Sequence, residues 1–289
     1  MMAWRRGLVI PVICLAALAF AYVVAASLMV GVPPPAEQTF ERTDGSGGTL
    51  TVYLEILNFD PMRDAFEARL DFATAAGALG SQFGAVADRE MVVQVADGEV
   101  DRLILLHRGE PMASVPHTIN IARGSIDAYP FDRYIAELAI AAFAGGDATV
   151  GQAMKLRVVV WGRLPTWDIR IVHADRRLNP TGVDLDINVR RSDQTRFFAV
   201  TLYGAMTLMG LTGITIGILL FLRVRRLDTT LAAVLSAMIF TLPSLRGIVP
   251  GAPPLGVRVD SVVFLWAELA VVIGLTLVII TWARHGDRP

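Results

Sequence analysis

The side chains with the strongest chemical signature in this chain are charges placed where water is scarce. Glu268 lies about two helical turns inside an apolar segment at 261–283, and a charge at such a depth costs about 2.5–3.5 kcal/mol on insertion scales. A carboxyl there needs a cation or a proton. Arg246, near the end of the preceding apolar segment, and Arg258, in the loop between the two, are the cations in reach. The sequence therefore predicts that Glu268 fastens helices together by pairing with one of them; passage of ions or protons is the other chemistry open to it. Asp228 opens a stripe of Thr229, Ala232, Ser236, Ile239 and Pro243, small or partly polar residues at helical spacing. That stripe suits a pore lining and a tight helix interface equally. Several copies around an axis would turn Asp228 into a carboxylate ring selecting cations, whereas in a single copy it caps its helix.

Elsewhere the sequence is chemically quiet. His107, His117 and His173 stand apart and Cys14, the single cysteine, sits in an apolar run, so the ligand spacing of a zinc site is missing. There is no Gly-x-Ser-x-Gly, no His-Glu-x-x-His and no phosphate-binding glycine loop. Asp184 and Asp186 alternate on one strand face and read as a solvated edge rather than a cation site, and Gly45 to Gly48 read as linker. No metal, no cofactor and no catalytic residue is expected.

The elements that must position these groups follow from hydropathy. Of 289 residues 54% are hydrophobic and only 18% charged, and the mean hydropathy is +0.52, too apolar for a soluble domain of this length. Four apolar runs account for the excess, at 8–32, 197–222, 229–245 and 261–283, with Glu268 their one charge. Each has about the 17–25 residues needed to cross a bilayer. Basic residues flank them: Arg5 and Arg6 before the first, Arg223, Arg225 and Arg226 after the second, Arg284 and Arg288 after the fourth. The positive-inside rule then puts both termini in the cytoplasm and residues 33–196 outside. The expected organisation is a helix at 1–32, a linker at 33–48, an outer domain at 49–192, helices at 197–222, 229–248 and 261–283 with an outer loop at 249–260, and a tail at 284–289.

Within the outer domain Leu50, Val52, Leu54 and Ile56 alternate with Thr51, Tyr53 and Glu55, the period of a half-buried strand. Similar runs recur at 66–72, 91–95, 102–107, 118–122, 134–140, 155–161, 168–173 and 183–189. About nine strands separated by turn residues predict an all-β sandwich. The fold class is thus membrane α plus all-β: four transmembrane helices, with an extracytoplasmic β-sandwich between the first and second. A net charge of −1 gives no reason to expect nucleic acid.

The segment Ile126-Asp127-Ala128-Tyr129-Pro130-Phe131-Asp132-Arg133-Tyr134 resembles the Phe-Pro-Phe-Asp loop of pentameric ligand-gated ion channels. Residues 50–60 and 66–70 are similar to the first two strands of that family, Asn188-Val-Arg-Arg191 to its basic entry into the membrane, and 227–245 to its pore helix. The resemblance implies that Phe131 and Asp132 face the membrane as a coupling loop. Asp132 is then expected to pair with Arg191 or Arg190, and Phe131 to pack near 250–255. Over the whole chain the layout resembles a family of bacterial, largely actinobacterial, membrane proteins catalogued as domain of unknown function 4436, a likeness that implies no activity.

The expected function is non-enzymatic: a multi-pass protein of the bacterial inner membrane whose outer domain serves as sensor, scaffold or accessory module. Its expected partners are the lipid bilayer and either further copies of itself or another envelope membrane protein. The alternative is an oligomeric channel lined by the 229–246 segment.

Overall fold

The structure, a computed structural model, describes residues 37–74, 86–98, 101–146, 151–162, 164–174, 182–224, 228 and 230–285. The first apolar run, Cys14, the basic residues Arg5, Arg6, Arg225, Arg226 and Arg288, and Thr229 of the stripe lie outside them.

Eleven strands are found among the described residues: β1 Gln38–Arg42, β2 Thr49–Asp60, β3 Ala65–Thr74, β4 Met91–Ala96, β5 Asp101–Leu106, β6 Val115–Gly124, β7 Arg133–Ala144, β8 Gln152–Ala153, β9 Lys155–Gly162, β10 Trp167–His173 and β11 Val183–Arg191. The alternation in β2 does what its pattern predicts, because Leu50, Val52, Leu54 and Ile56 are all buried. They share one core with Phe66 and Leu70 of β3, Val93 of β4, Leu138 and Ile140 of β7, Val158 of β9 and Leu185 of β11. Burial of this kind, about 25 cal/mol per Å² of apolar surface, holds a cysteine-free domain together.

Two features depart from the expected sandwich. Hydrogen bonding runs through one continuous path, β1-β9-β2-β3-β6-β7-β11-β10, with β4 and β8 branching from β7 and β5 pairing β4. The reason lies in β6, which pairs β3 through 115–120 and then β7 after a register shift between Ile121 and Arg123. A bulge lets one strand turn the corner between two layers. Arg42 at the end of β1 donates from Nη1 to the Gly182 carbonyl just before β11, at 2.9 Å. The path therefore comes near to closing as a barrel. The second departure is β1 itself, which lies within the stretch read as linker: only its Phe40 packs on the core, too little apolar alternation to announce a strand, yet it pairs residue for residue with β9.

Three helices follow: α1 Asp193–Phe221, α2 Thr230–Gly247, and α3 Leu265–His285, the last entered through a wide turn at Asp260–Phe264. In that turn the Leu265 N–H donates to the Asp260 carbonyl five residues back, a geometry that widens a helix by one residue. All three helices are long and apolar enough to cross a membrane. Ser192 caps α1, its Oγ accepting from Thr195 N at 3.3 Å, and Asp228 caps α2, its Oδ1 accepting from Thr230 N at 2.9 Å. Gly210, Gly213 and Gly217 of α1 lie so close to Ala267, Val271 and Gly274 of α3 that a Cβ on Gly217 would sit 2.6 Å from the Gly274 Cα. The small-residue face is a close helix contact. Outward faces stay apolar, with Leu208, Leu211, Phe240, Leu269 and Trp282 exposed.

Candidate functional site at the base of the β-domain

The end of the β-domain from which α1 departs carries two buried ion pairs, one above the other. The upper is Asp132–Arg191. Asp132 lies in the loop between β6 and β7, and Arg191 is the last residue of β11; both are essentially inaccessible, at 0% and 1% exposure. Arg191 Nε donates to both carboxylate oxygens at 3.1 Å, and the Tyr134 hydroxyl donates to Asp132 Oδ2 at 3.0 Å. The guanidinium is sandwiched between two rings, its Cζ 4.8 Å from the centroid of Tyr129 and 4.1 Å from that of Trp167. These π faces offset the loss of water around a cation whose Nη2 is buried without a hydrogen-bond partner. Burial, reinforced by the Asp132 charge, drives the Tyr134 hydroxyl well above the usual phenol range. Burial likewise pushes Tyr129 up to about 12, so both phenols are held as neutral donors.

The lower pair is Arg246–Asp260, between the end of α2 and the entry to α3. Arg246 reaches Asp260 through Nε and Nη2 at 2.6 and 2.7 Å, a two-pronged geometry suited to guanidinium and carboxylate. Its Nη2 also donates to the carbonyls of Pro253 and Pro254, each at 3.0 Å. Gly256 N and the Tyr203 hydroxyl both donate to Asp260 at 3.1 Å. Every edge of this carboxylate is occupied, and the proline-rich loop is folded around Arg246.

Tyr129 joins the two pairs. Its ring covers Arg191, its hydroxyl donates to the Pro250 carbonyl at 2.8 Å, and its edge approaches the Tyr203 ring at a centroid distance of 6.5 Å. From the other side Gly251, at φ +75°, lies against Arg191 so closely that a Cβ would collide with Nη1. Glycine is needed there both for the left-handed backbone and for the space. Three chain segments thus meet on one polar network: the β6–β7 loop, the β11–α1 junction and the α2–α3 loop.

A family model described as a domain of unknown function (DUF4436) matches residues 40–189, more than half of the chain. The chain belongs to the DUF4436 family. In this DUF4436 member a second model, also a domain of unknown function (DUF8686), matches residues 191–285. The two models meet at Arg190 and Arg191, which is where the upper ion pair ties β-domain to helices. No curated protein matches the chain.

The expected residues are placed as follows. Asp132 pairs with Arg191; Arg190 pairs instead with Asp168, its neighbour across β10 and β11, with Nε 2.7 Å from Oδ2. Phe131 is 62% exposed, and the bond to the 250–255 loop is made by the Tyr129 hydroxyl on the Pro250 carbonyl. The expected Glu268–Arg246 pair is corrected: Arg246 belongs to Asp260, Arg258 is exposed, and Glu268 is half-buried with no hydrogen bond or ion pair to a described residue. Asp260 lies at the same depth as Arg246 because both flank one short loop, whereas Glu268 is two further turns along the helix. Of the stripe, Ala232 and Ile239 pack on the helical core, Ser236 bonds back to the Ala232 carbonyl at 2.9 Å, and Pro243 is exposed. Their shared helix face is therefore partly packed rather than open. Asp260, Tyr129, Tyr203, Trp167 and Gly251 were the residues that pattern reading missed. The signal available for Asp260 was a carboxylate just before an apolar run, paired in depth with Arg246.

Proposed function

We propose that this protein is a non-enzymatic multi-pass protein of the bacterial inner membrane, with its β-domain on the outer face acting as a sensor, scaffold or accessory binding module. On this reading a helix at 1–32 and α1–α3 span the bilayer, both termini are cytoplasmic, and events at the β-domain reach the α2–α3 loop through Asp132, Arg191 and Tyr129. The observation that carries the proposal is the continuous buried network at the base. A domain tethered only by flexible linkers would have no use for it, since desolvating two ion pairs is costly and yields registry between elements rather than net stability.

The test has two parts. In a Cys14→Ser background, Glu110→Cys should react with a membrane-impermeant maleimide on intact cells, and Arg284→Cys only after permeabilisation. In nanodiscs, Asp132→Asn should accelerate hydrogen exchange in the 248–259 loop as well as at the β6–β7 loop. Acceleration confined to the β-domain would remove the coupling. The channel reading, several copies with α2 lining a pore and Asp228 as its inner ring, has less support because Ala232 and Ile239 face their own chain. Cation flux through proteoliposomes, abolished by Asp228→Ala, would reinstate it.

A further inference from the structure

We propose that the β2–β3 hairpin and the end of β9 form a second membrane contact, resting in the headgroup layer of the outer leaflet beside the helices. This rests on the reading that α1–α3 span the bilayer. Four large apolar side chains protrude at the base of the β-domain: Leu57 at 50%, Met62 at 60%, Phe131 at 62% and Trp161 at 43% exposure.

Register places all four at one end. Phe59 of β2 stacks on Phe66 and meets the edges of Tyr134 and Trp167, the residues that hold Asp132 and Arg191. Met62 lies three residues further on, in the turn joining β2 to β3. β9 runs parallel to β2, with Trp161 beside Glu55 and Gly162 beside Ile56, so it ends at the same base. Leu57 is the unpaired residue of the β2 bulge. Along the sheet, β3, β2 and β9 are three, four and five strands from β11, where α1 begins. At about 4.8 Å per strand, the β2–β3 hairpin lies roughly 15–20 Å from β11 along the sheet, to the side of the α1 entry.

Charge selects the occupant. Arg63, 78% exposed and paired with Asp60 at 3.5 Å, adjoins Met62, and the exposed Arg133 follows Phe131 by two residues. Apolar tips beside exposed guanidinium groups match a surface whose acyl chains lie under phosphates, and tryptophan favours that boundary. A second copy of the chain would instead call for a flat, continuous patch, whereas these tips sit on separate loops. The helix ends at this level, Phe198 of α1 and Leu265 and Trp266 of α3, are exposed as well, so the apolar rim continues from the helices onto the domain.

The full-length Cys14→Ser protein, reconstituted in nanodiscs containing anionic and brominated phospholipid, supplies the test. Single cysteines at positions 62, 131, 105 and 211 would carry a bimane label. Position 211 is midway along α1, and Leu105 faces outward near the opposite end of the domain, opposite Val92 and, through β4, Phe143. Bromine should quench the labels at 211, 62 and 131 at least twofold and leave 105 unaffected. Arg63→Glu together with Arg133→Glu should relieve quenching at 62 without changing that at 211. Labels at 62 and 131 that stay bright while 211 is quenched overturn the lipid contact and leave the membrane reading standing; an unquenched 211 overturns the membrane reading itself. Disulfide-linked dimers through position 62 would assign the surface to a second copy and also overturn the proposal.

Discussion

Asp132 and Arg191 are buried against one another, so neither tolerates loss of its partner. Asp132→Ala leaves a buried guanidinium without its counter-charge, an arrangement that costs about 3–5 kcal/mol. Chemical denaturation of the β-domain should register that loss, and Asp132→Leu combined with Arg191→Met should recover most of it. Arg191→Lys keeps the charge but loses the flat face held between Tyr129 and Trp167, so it too should destabilise. This pair was legible through the resemblance to the ligand-gated channel loop, which leaves Arg190 and Arg191 both open as the partner. The Arg246 partner was not: depth along a helix argued for a charge inside the apolar run, while the decisive property of Asp260 is that a residue at a helix entry can also accept from Gly256 N and Tyr203. His117 of β6 carries a second testable charge. Its imidazole is buried, with no hydrogen-bond partner at Nε2, and burial holds its pKa below the ordinary value, against the pull of Asp97. A folded pKa below the unfolded one, about 6.5, means that stability is intact above that pH and declines as pH falls below it. Melting curves between pH 7.5 and 5 should show the decline in the wild type and a smaller one in His117→Gln.

At the scale of elements, strand alternation and helix hydropathy did most of the predictive work. All nine expected runs fall on strands, because a two-residue period lets a strand bury one face. β1 escaped because a five-residue edge strand needs only backbone pairing with β9, and pairing leaves no pattern. The continuous sheet escaped because a bulge at Ile121–Arg123 shows in register, not in residue type. Glycines were more informative. Gly210, Gly213 and Gly217 recur on one helix face, and the structure puts that face against Ala267, Val271 and Gly274. Gly217→Leu has no space to occupy, because the nearest atoms belong to the α3 backbone and cannot rotate away. Overpacking of this kind costs about 1–3 kcal/mol. The expected result is a lower melting temperature of the helical signal in detergent, with Gly204→Ala, where no atom lies within 4 Å of the added carbon, as the neutral control.

For the molecule as a whole, the informative boundary is the one between the two family models, at residues 190 and 191. A boundary of that kind ordinarily marks a linker. Here it marks a buried polar cluster, and the order of apolar runs could not reveal this, because the network is assembled from Tyr129, Arg191, Tyr203, Pro250 and Gly251, residues scattered over more than a hundred positions. Gly251 is the place to separate the alternatives. Gly251→Val adds a β-branched side chain at φ +75° and against the Arg191 guanidinium, so the α2–α3 loop must withdraw from Tyr129 while the β core and the α1–α3 contact keep their own packing. With the other four tryptophans replaced by phenylalanine in both proteins, Trp167, stacked on Arg191, reports the withdrawal by fluorescence, and circular dichroism follows sheet and helix. If the base couples the two halves, the wild type should lose Trp167 burial and secondary structure in one thermal transition, and Gly251→Val should split it, with the tryptophan signal moving first. A single transition in both proteins, merely shifted, would mean that the two halves are joined by the α1 connection alone and that the buried network serves only local packing.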